Sequence, residues 1–325
     1  MMSKAAKIWL IVAASLTFVG LVIFGGTIFM LNFDFTNFTT GKFETNEHVI
    51  TESYESIYVD TNTAHITFLP SEDGTTSVTC YEIRNQRHTV SVNDGTLSVK
   101  FLDTRKWYEH IHIGIWWDTP KITVYLPEGE YASLVINEHT GDIDVPKDLK
   151  FGDINVSAST GDVYLCASTT GSVEIETSTG DIIVNGISAG SLDLSVTTGA
   201  INVSAVVCEG EFELEVDTGK AKLTDVSCKS FESDGDTGDL TLENVFASGE
   251  ISIERDTGDV IFSKCDASAI YVETSTGDVK GTFLSDKIFF AQSNTGKILV
   301  PKSTSGGVCE IKCSTGDIDI DIVTE

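Results

Sequence analysis

"ETSTGD" stands at Glu176–Asp181 and again, unchanged, at Glu273–Asp278. The two copies belong to a longer series. Thr-Gly pairs place glycine at Gly141, Gly161, Gly180, Gly199, Gly219, Gly238, Gly258, Gly277, Gly296 and Gly316, in steps of 19 or 20 residues. A fixed period in this range marks a repeat architecture in which each unit is completed by its neighbours.

Apolar residues alternate around each of these glycines. Two and four positions after them come pairs such as Val163/Leu165, Ile182/Val184, Ile201/Val203, Ile298/Val300 and Ile318/Ile320. Seven and five positions before them come Ile154/Val156, Val173/Ile175, Leu192/Leu194 and Phe212/Leu214. A spacing of two is strand periodicity with one face buried. No comparable window outside the N-terminal stretch shows helical spacing. The expected fold is therefore all-β: a β-solenoid with two short strands per coil of about 19.5 residues. Glycine suits the corner because it takes positive φ without steric cost. One coil cannot bury its apolar face alone, but stacked coils do so and pair backbone with backbone. Coils about 4.8 Å apart would make ten of them extend on the order of 50 Å.

The N-terminal stretch differs. Between Lys7 and Asp34 lie 26 residues without a charge, IWLIVAASLTFVGLVIFGGTIFMLNF. About 20 apolar residues cross a bilayer as a helix. Lys4 and Lys7 precede the run, which orients the N-terminus to the cytoplasm and the rest outside. The run is long for a cleaved signal and no A-x-A site follows. An uncleaved signal anchor and a single-pass protein of the cell membrane are expected. The organisation read from the sequence is a cytoplasmic tail over 1–7, an anchor over 8–33, a linker over 34–42, an irregular β start over 43–130 and regular repeats over 131–325. Within the irregular start, Ser56–Phe68 (SIYVDTNTAHITF) follows the coil pattern, with Thr63-Ala64-His65 in place of Thr-Gly-Asp. Ala64 lies 77 residues before Gly141, close to four periods. Continuous stacking is expected there, with a small β-sandwich cap as the alternative.

The net charge is -28. Outside the anchor 19 basic and 49 acidic residues remain, a net of -30. Nucleic acid is excluded as a partner, because no basic stripe exists to neutralise phosphates. Cationic peptides, a cell-wall component or another envelope protein are the partner classes this field favours. Oligomeric state is not legible.

Together, the "STGDI" and "STGDV" turns, the "KITVYLPEG" stretch, the lead-in RKWYEHIHIGIWWDTPKITVYLP (Arg105–Pro127) and the N-terminal anchor resemble a bacterial putative-adhesin family built on β-strand repeats. The resemblance runs from about Phe43 to the C-terminus. It implies a β-solenoid outside a bacterial cell, often tied to envelope stress, and it brings no agreed catalytic residues.

Candidate chemistry is sparse. The residue after the turn glycine is acidic at Asp142, Asp162, Asp181, Asp239, Asp259, Asp278 and Asp317, a column that could hold calcium, with Asp162, Asp181, Asp239, Asp259, Asp278 and Asp317 as the candidate ligands. Each turn offers one carboxylate, however, and Lys220 and Lys297 interrupt the column. The competing reading is that each Asp accepts backbone N–H bonds within its own turn. Trp107, Tyr108, His110, His112, Trp116 and Trp117 form the least repeat-like stretch. They read either as a partner-binding patch, with the two histidines as metal ligands on one strand face, or as a packed cap. Seven cysteines are an odd count. Cys309 and Cys313 read as small core residues. Cys208 and Cys228 should sit one above the other, where parallel Cβ vectors disfavour a disulfide. No C-x-x-C pair occurs, so zinc is not expected. No nucleophile elbow, P-loop or nucleotide fingerprint is present. The chain end, TGDIDIDIVTE (Thr315–Glu325), places acids at every second residue and reads as the open edge of the last coil, protected by its charges, with a docking edge as the alternative. The expectation is a non-enzymatic surface or envelope binding module, adhesin-like and without a cofactor. The alternatives are a calcium-stabilised adhesin and a glycan-active lyase or hydrolase on a solenoid scaffold.

Overall fold

The computed structural model describes residues 4–30, 43–105 and 118–323. One unit contains the helix Lys4–Met30. Its segment Trp9–Gly26 has mean hydropathy 2.1 and is long and apolar enough to cross a membrane. The second unit spans 44–104 and 119–325 and holds the strands.

That unit is a parallel β-solenoid of about ten turns. Each coil is named here by its corner glycine. The strand before the corner pairs in parallel with its counterparts: Ile154 sits between Leu134 and Val173, and Leu194 between Ile175 and Leu214. The strand after the corner does the same, with Ile182 between Val163 and Ile201. The alternating residues of both strands form one buried core, continuous from Ile57 to Ile320. Burial is thus periodic because side chains alternate across a strand while every coil repeats the same register.

The corner needs glycine for a steric reason beyond its φ. Gly180 has φ 142°, and a Cβ built there would fall on the carbonyl oxygen of Gly161 in the coil below. The corners pack backbone on backbone. Gly161 N donates to Thr179 O at 2.9 Å, and Gly180 N to Thr198 O at 3.1 Å. A second bend lies six residues later in five successive coils, at Gly186, Ala205, Asp225, Asn244 and Lys264, with φ between 52° and 70°. Four of these residues are not glycine, so the sequence hides this bend.

The two ends depart from sequence order. Ser56–Thr61 pairs directly with Ser133–Glu138, so the 77 residues between Ala64 and Gly141 span a single step of the stack, not four. His65 takes the aspartate position, its Nδ1 accepting from Asp142 N at 3.0 Å. The coil formed by Thr96–Asp103 and Lys121–Leu126 lies outside the Ala64 coil. Antiparallel strands Thr76–Ile83 and Gln86–Asn93 then close the end. The irregular start therefore combines stacked coils with an antiparallel cap.

At the other end, the Gly316 coil is inserted between the Gly277 and Gly296 coils. Val279 pairs with Ile318, and Ile318 with Ile298. Thr276 pairs with Thr315, and Thr315 with Thr295. The expectation that Thr315–Glu325 forms an open edge is overturned. The edge strands among the described residues are Lys287–Thr295 and Ile298–Leu299, and the expected inward pair Ile298/Val300 is not buried. Apolar Phe290 is 58% and Leu299 60% exposed there. The acidic alternation of Asp317, Asp319 and Asp321 dresses an interior coil.

Candidate functional site

The aspartate column is a backbone brace. The Oδ1 atom of Asp142 accepts from Asp162 N at 3.0 Å, that of Asp162 from Asp181 N at 2.8 Å, and that of Asp181 from Ala200 N at 2.8 Å. The same link joins Asp239 to Asp259, Asp259 to Asp278, Asp278 to Asp317 and Asp317 to Lys297. Each carboxylate therefore bonds the neighbouring coil's turn, not its own. The lysines fit this scheme. Lys220 Nζ lies 2.9 Å from Asp239 Oδ2, and with the aspartate's hydrogen bonds it holds that carboxyl below its ordinary range.

Between Ser172 and Thr257 charge is segregated between the two strand faces; beyond that stretch Lys312 stands beside Glu273 on the strand before the Gly316 corner. On the strands before the corners, the outward rungs place Glu174 beside Asp193, Asp193 beside Glu213 and Glu213 beside Glu232. A second rung places Glu215 beside Asp234, and Glu254 beside Glu273. Between Ser172 and Thr257 the basic residues lie elsewhere. Lys220 and Lys222 follow a corner, Lys229 follows the strand Ala221–Cys228, and Arg255 points inward, 2% exposed. Like charges one coil apart repel. Partial burial, then Glu174 and Glu176, raise the Asp193 carboxyl above its ordinary range; partial burial, then Asp193, Glu232 and Glu211, do the same for Glu213. Neutral relief is local: Asn155 Nδ2 donates to Glu174 at 2.6 Å and Ser195 Oγ to Glu215 at 3.3 Å. On the strands after the corners, lysines answer carboxylates: Lys222 lies 3.7 Å from Glu243, and Lys280 2.5 Å from Asp278.

A groove of about 740 Å³ crosses five coils near Phe246, Ser268 and Lys287. Lys287 is buried, with Nζ on Asp266 Oδ1 and Ser285 Oγ. Asp266 also accepts from Ser285 Oγ and from Ala267 N. A serine, a lysine and an aspartate meet here, with Lys287 paired to Asp266. Sequence reasoning missed this cluster because its members come from two different coils.

The six residues Trp107, Tyr108, His110, His112, Trp116 and Trp117 lie outside the described residues. All seven cysteines are free thiols, Cys208 and Cys228 included. Cys309 and Cys313 are buried, as expected of core residues.

The family described as Toastrack DUF4097 matches residues 54–214 and 209–325. No curated protein matches the chain. Among solved structures, a putative adhesin from Bacteroides fragilis NCTC 9343 is 15% identical, with 86% of this chain and 97% of that one covered and a TM-score of 0.43. A putative lipid binding protein from Parabacteroides distasonis ATCC 8503 is 20% identical over 74% and 95%, with a TM-score of 0.48. A putative adhesin from Parabacteroides merdae ATCC 43184 is 16% identical over 74% and 97%, also with a TM-score of 0.48.

Proposed function

The chain belongs to the Toastrack DUF4097 family, and from that membership and its charge arrangement we propose a membrane-anchored, extracytoplasmic binding module that takes a cationic partner on its carboxylate face. The observation that carries this reading is the uncompensated ladder Glu174–Asp193–Glu213–Glu232. A stack of like charges about 4.8 Å apart costs free energy in the free protein, and a polycation laid along it relieves that cost. The flat parallel face repeats every coil, so it suits an extended chain with regularly spaced positive groups. Basic peptides of the envelope are the partner class, and adhesin-like attachment is the biological setting. The apolar helix anchors the module, with the solenoid outside the cell. The non-enzymatic reading is supported by the groove, where Lys287 is paired with Asp266.

The test is binding of an oligolysine peptide to the full chain in detergent across a salt series. Affinity should fall steeply with ionic strength, because exposed charges are screened beyond about 8 Å at physiological salt. Asp193→Asn together with Glu213→Gln should weaken binding several-fold, whereas Lys222→Gln should not. Salt-insensitive binding, or none, overturns the proposal. The aromatic stretch Trp107–Trp117 is a second contact by its composition, tested by Trp116→Ala with Trp117→Ala in the same assay.

A further inference from the structure

The antiparallel cap buries a set of ionisable side chains that the acidic face does not use. Cys80 and Glu82 lie two apart on the strand Thr76–Ile83 and share a face. The chain then reverses and brings back His88 on Gln86–Asn93. All three are buried. One ligand atom from each, the thiol sulfur, a carboxylate oxygen and a ring nitrogen, lies within 4.8 Å of the other two.

These groups are already oriented from behind. Glu82 Oε1 accepts from Asn46 Nδ2 at 2.7 Å. Glu82 Oε2 faces His88 Nδ1 at 2.8 Å and accepts from His88 N at 2.6 Å. The far ring nitrogen, Nε2, meets Thr61 Oγ1 at 2.7 Å. Nδ1 donates to Glu82 Oε2; a bound cation would take the Nδ1 lone pair and leave the ring proton on Nε2, donated to Thr61, which is the outer-shell arrangement a ligating histidine takes. His48 stands two residues after Asn46 on the strand Phe43–Ile50, on the same strand face, and its Nε2 is buried without a partner. Such an orphan nitrogen calls for a specific explanation.

We propose that the cap holds a zinc-class divalent cation, bound by Cys80 Sγ, a Glu82 carboxylate oxygen and His88 Nδ1; His48 Nε2 lies outside this 4.8 Å set and would have to swing in to complete the coordination. A sulfur, nitrogen and oxygen donor set of this size suits a borderline-soft, four-coordinate ion and not calcium. Charge balance supports it: one thiolate, one carboxylate and neutral imidazoles cancel a dication in a site shielded from water. The cation must displace the Cys80 thiol proton to solvent on binding. Metal bonds of about 2.0 to 2.3 Å would open the Glu82–His88 hydrogen bond by several tenths of an ångström and draw the sulfur inward. The role is structural, tying the cap to the Ala64 coil through Thr61.

The test is a cobalt(II) titration of the metal-free full chain in detergent. One equivalent should give a thiolate-to-cobalt charge-transfer band that zinc bleaches, and zinc should raise the melting temperature. Cys80→Ser disturbs none of the hydrogen bonds named above and should abolish the band while leaving the fold intact. Thr61→Val should weaken the metal about tenfold or more. If His88→Gln fails to fold, Cys80→Ser still decides the matter. No band at one equivalent, or a band that survives Cys80→Ser, overturns the site.

Discussion

The inserted terminal coil yields a prediction that sequence order would reverse. Ile298 and Ile318 occupy the same position, two residues after their corner glycines. Read in order, Ile298 belongs to an interior coil and Ile318 to the last one. In the structure Ile318 lies between Val279 and Ile298 and is 0% exposed, while Ile298 is 42% exposed. The backbone agrees: Val279 N donates to Asp317 O at 2.9 Å, and Ile318 N to Lys297 O at 2.8 Å. Ile318→Ala should leave a cavity closed on both sides and cost about 2 to 5 kcal/mol. Ile298→Ala removes methylenes already half in water, with no closed cavity behind them, and should cost less than about 1 kcal/mol. A solenoid opens locally at its ends, so peptide-resolved hydrogen exchange is the suitable assay. Ile318→Ala should speed exchange in both Val279–Phe283 and Ile298–Leu299, whereas Ile298→Ala should affect only its own coil. If Ile298→Ala proves equal or worse, or if Ile318–Ile322 exchanges as an edge strand, the inserted topology is wrong.

Three further outcomes are expected. Burial raises the Glu138 carboxyl to about 7, against bonds from Thr140 N and Ala64 N that lower it. The folded state then holds the proton more tightly than the unfolded state, so this contribution is full below about pH 4.5 and is lost as pH rises through 7; it amounts to about 3 kcal/mol. Glu138→Gln should therefore stabilise the chain at pH 8 and do little at pH 4, and an equal effect at both would refute the shift. Gly180→Ala, which drives a Cβ into the Gly161 carbonyl, should cost about 2 to 4 kcal/mol; Ala205→Gly, at φ 53°, should change stability by less than about 1 kcal/mol in thermal melts. Because the column's Oδ1 atoms already bond backbone N–H groups, calcium should raise the melting temperature no more than magnesium, and a calcium-specific rise would restore the calcium-stabilised reading.

The corners were legible because their requirement is steric and recurs in every coil: a side chain at Gly180 or Gly199 has nowhere to go. The alternation of Val173 and Ile175 or Leu192 and Leu194 was legible for the same reason, one buried position per two residues. Stacking order at the ends was not. Gly277, Gly296 and Gly316 carry nearly the same local pattern, and any of these coils makes an acceptable parallel neighbour for another, so pairing leaves no mark in the letters. The bend at Ala205, Asp225, Asn244 and Lys264 was hidden because its shared property is φ, not residue type. The cap cluster escaped because Cys80, Glu82 and His88 follow no metal-binding spacing and meet only through a chain reversal.

The acidity of the chain has two physical meanings that composition alone merges. The aspartates after the corners spend one oxygen on the neighbouring coil's N–H, so Asp162, Asp181 and Asp259 belong to the frame as much as the corner glycines do. The carboxylates of Glu174, Asp193, Glu213 and Glu232 make no comparable ladder of bonds, and stand one coil apart beside one another. Solubility alone would be served by scattering these charges, because interspersed signs avoid the repulsion of direct neighbours. Their alignment on one face carries a cost that the fold does not require, since the buried partners Val173, Leu192, Phe212 and Phe231 would hold the coils equally well beneath neutral rungs. On the function proposed above, a polycation laid on that face would relieve this repulsion.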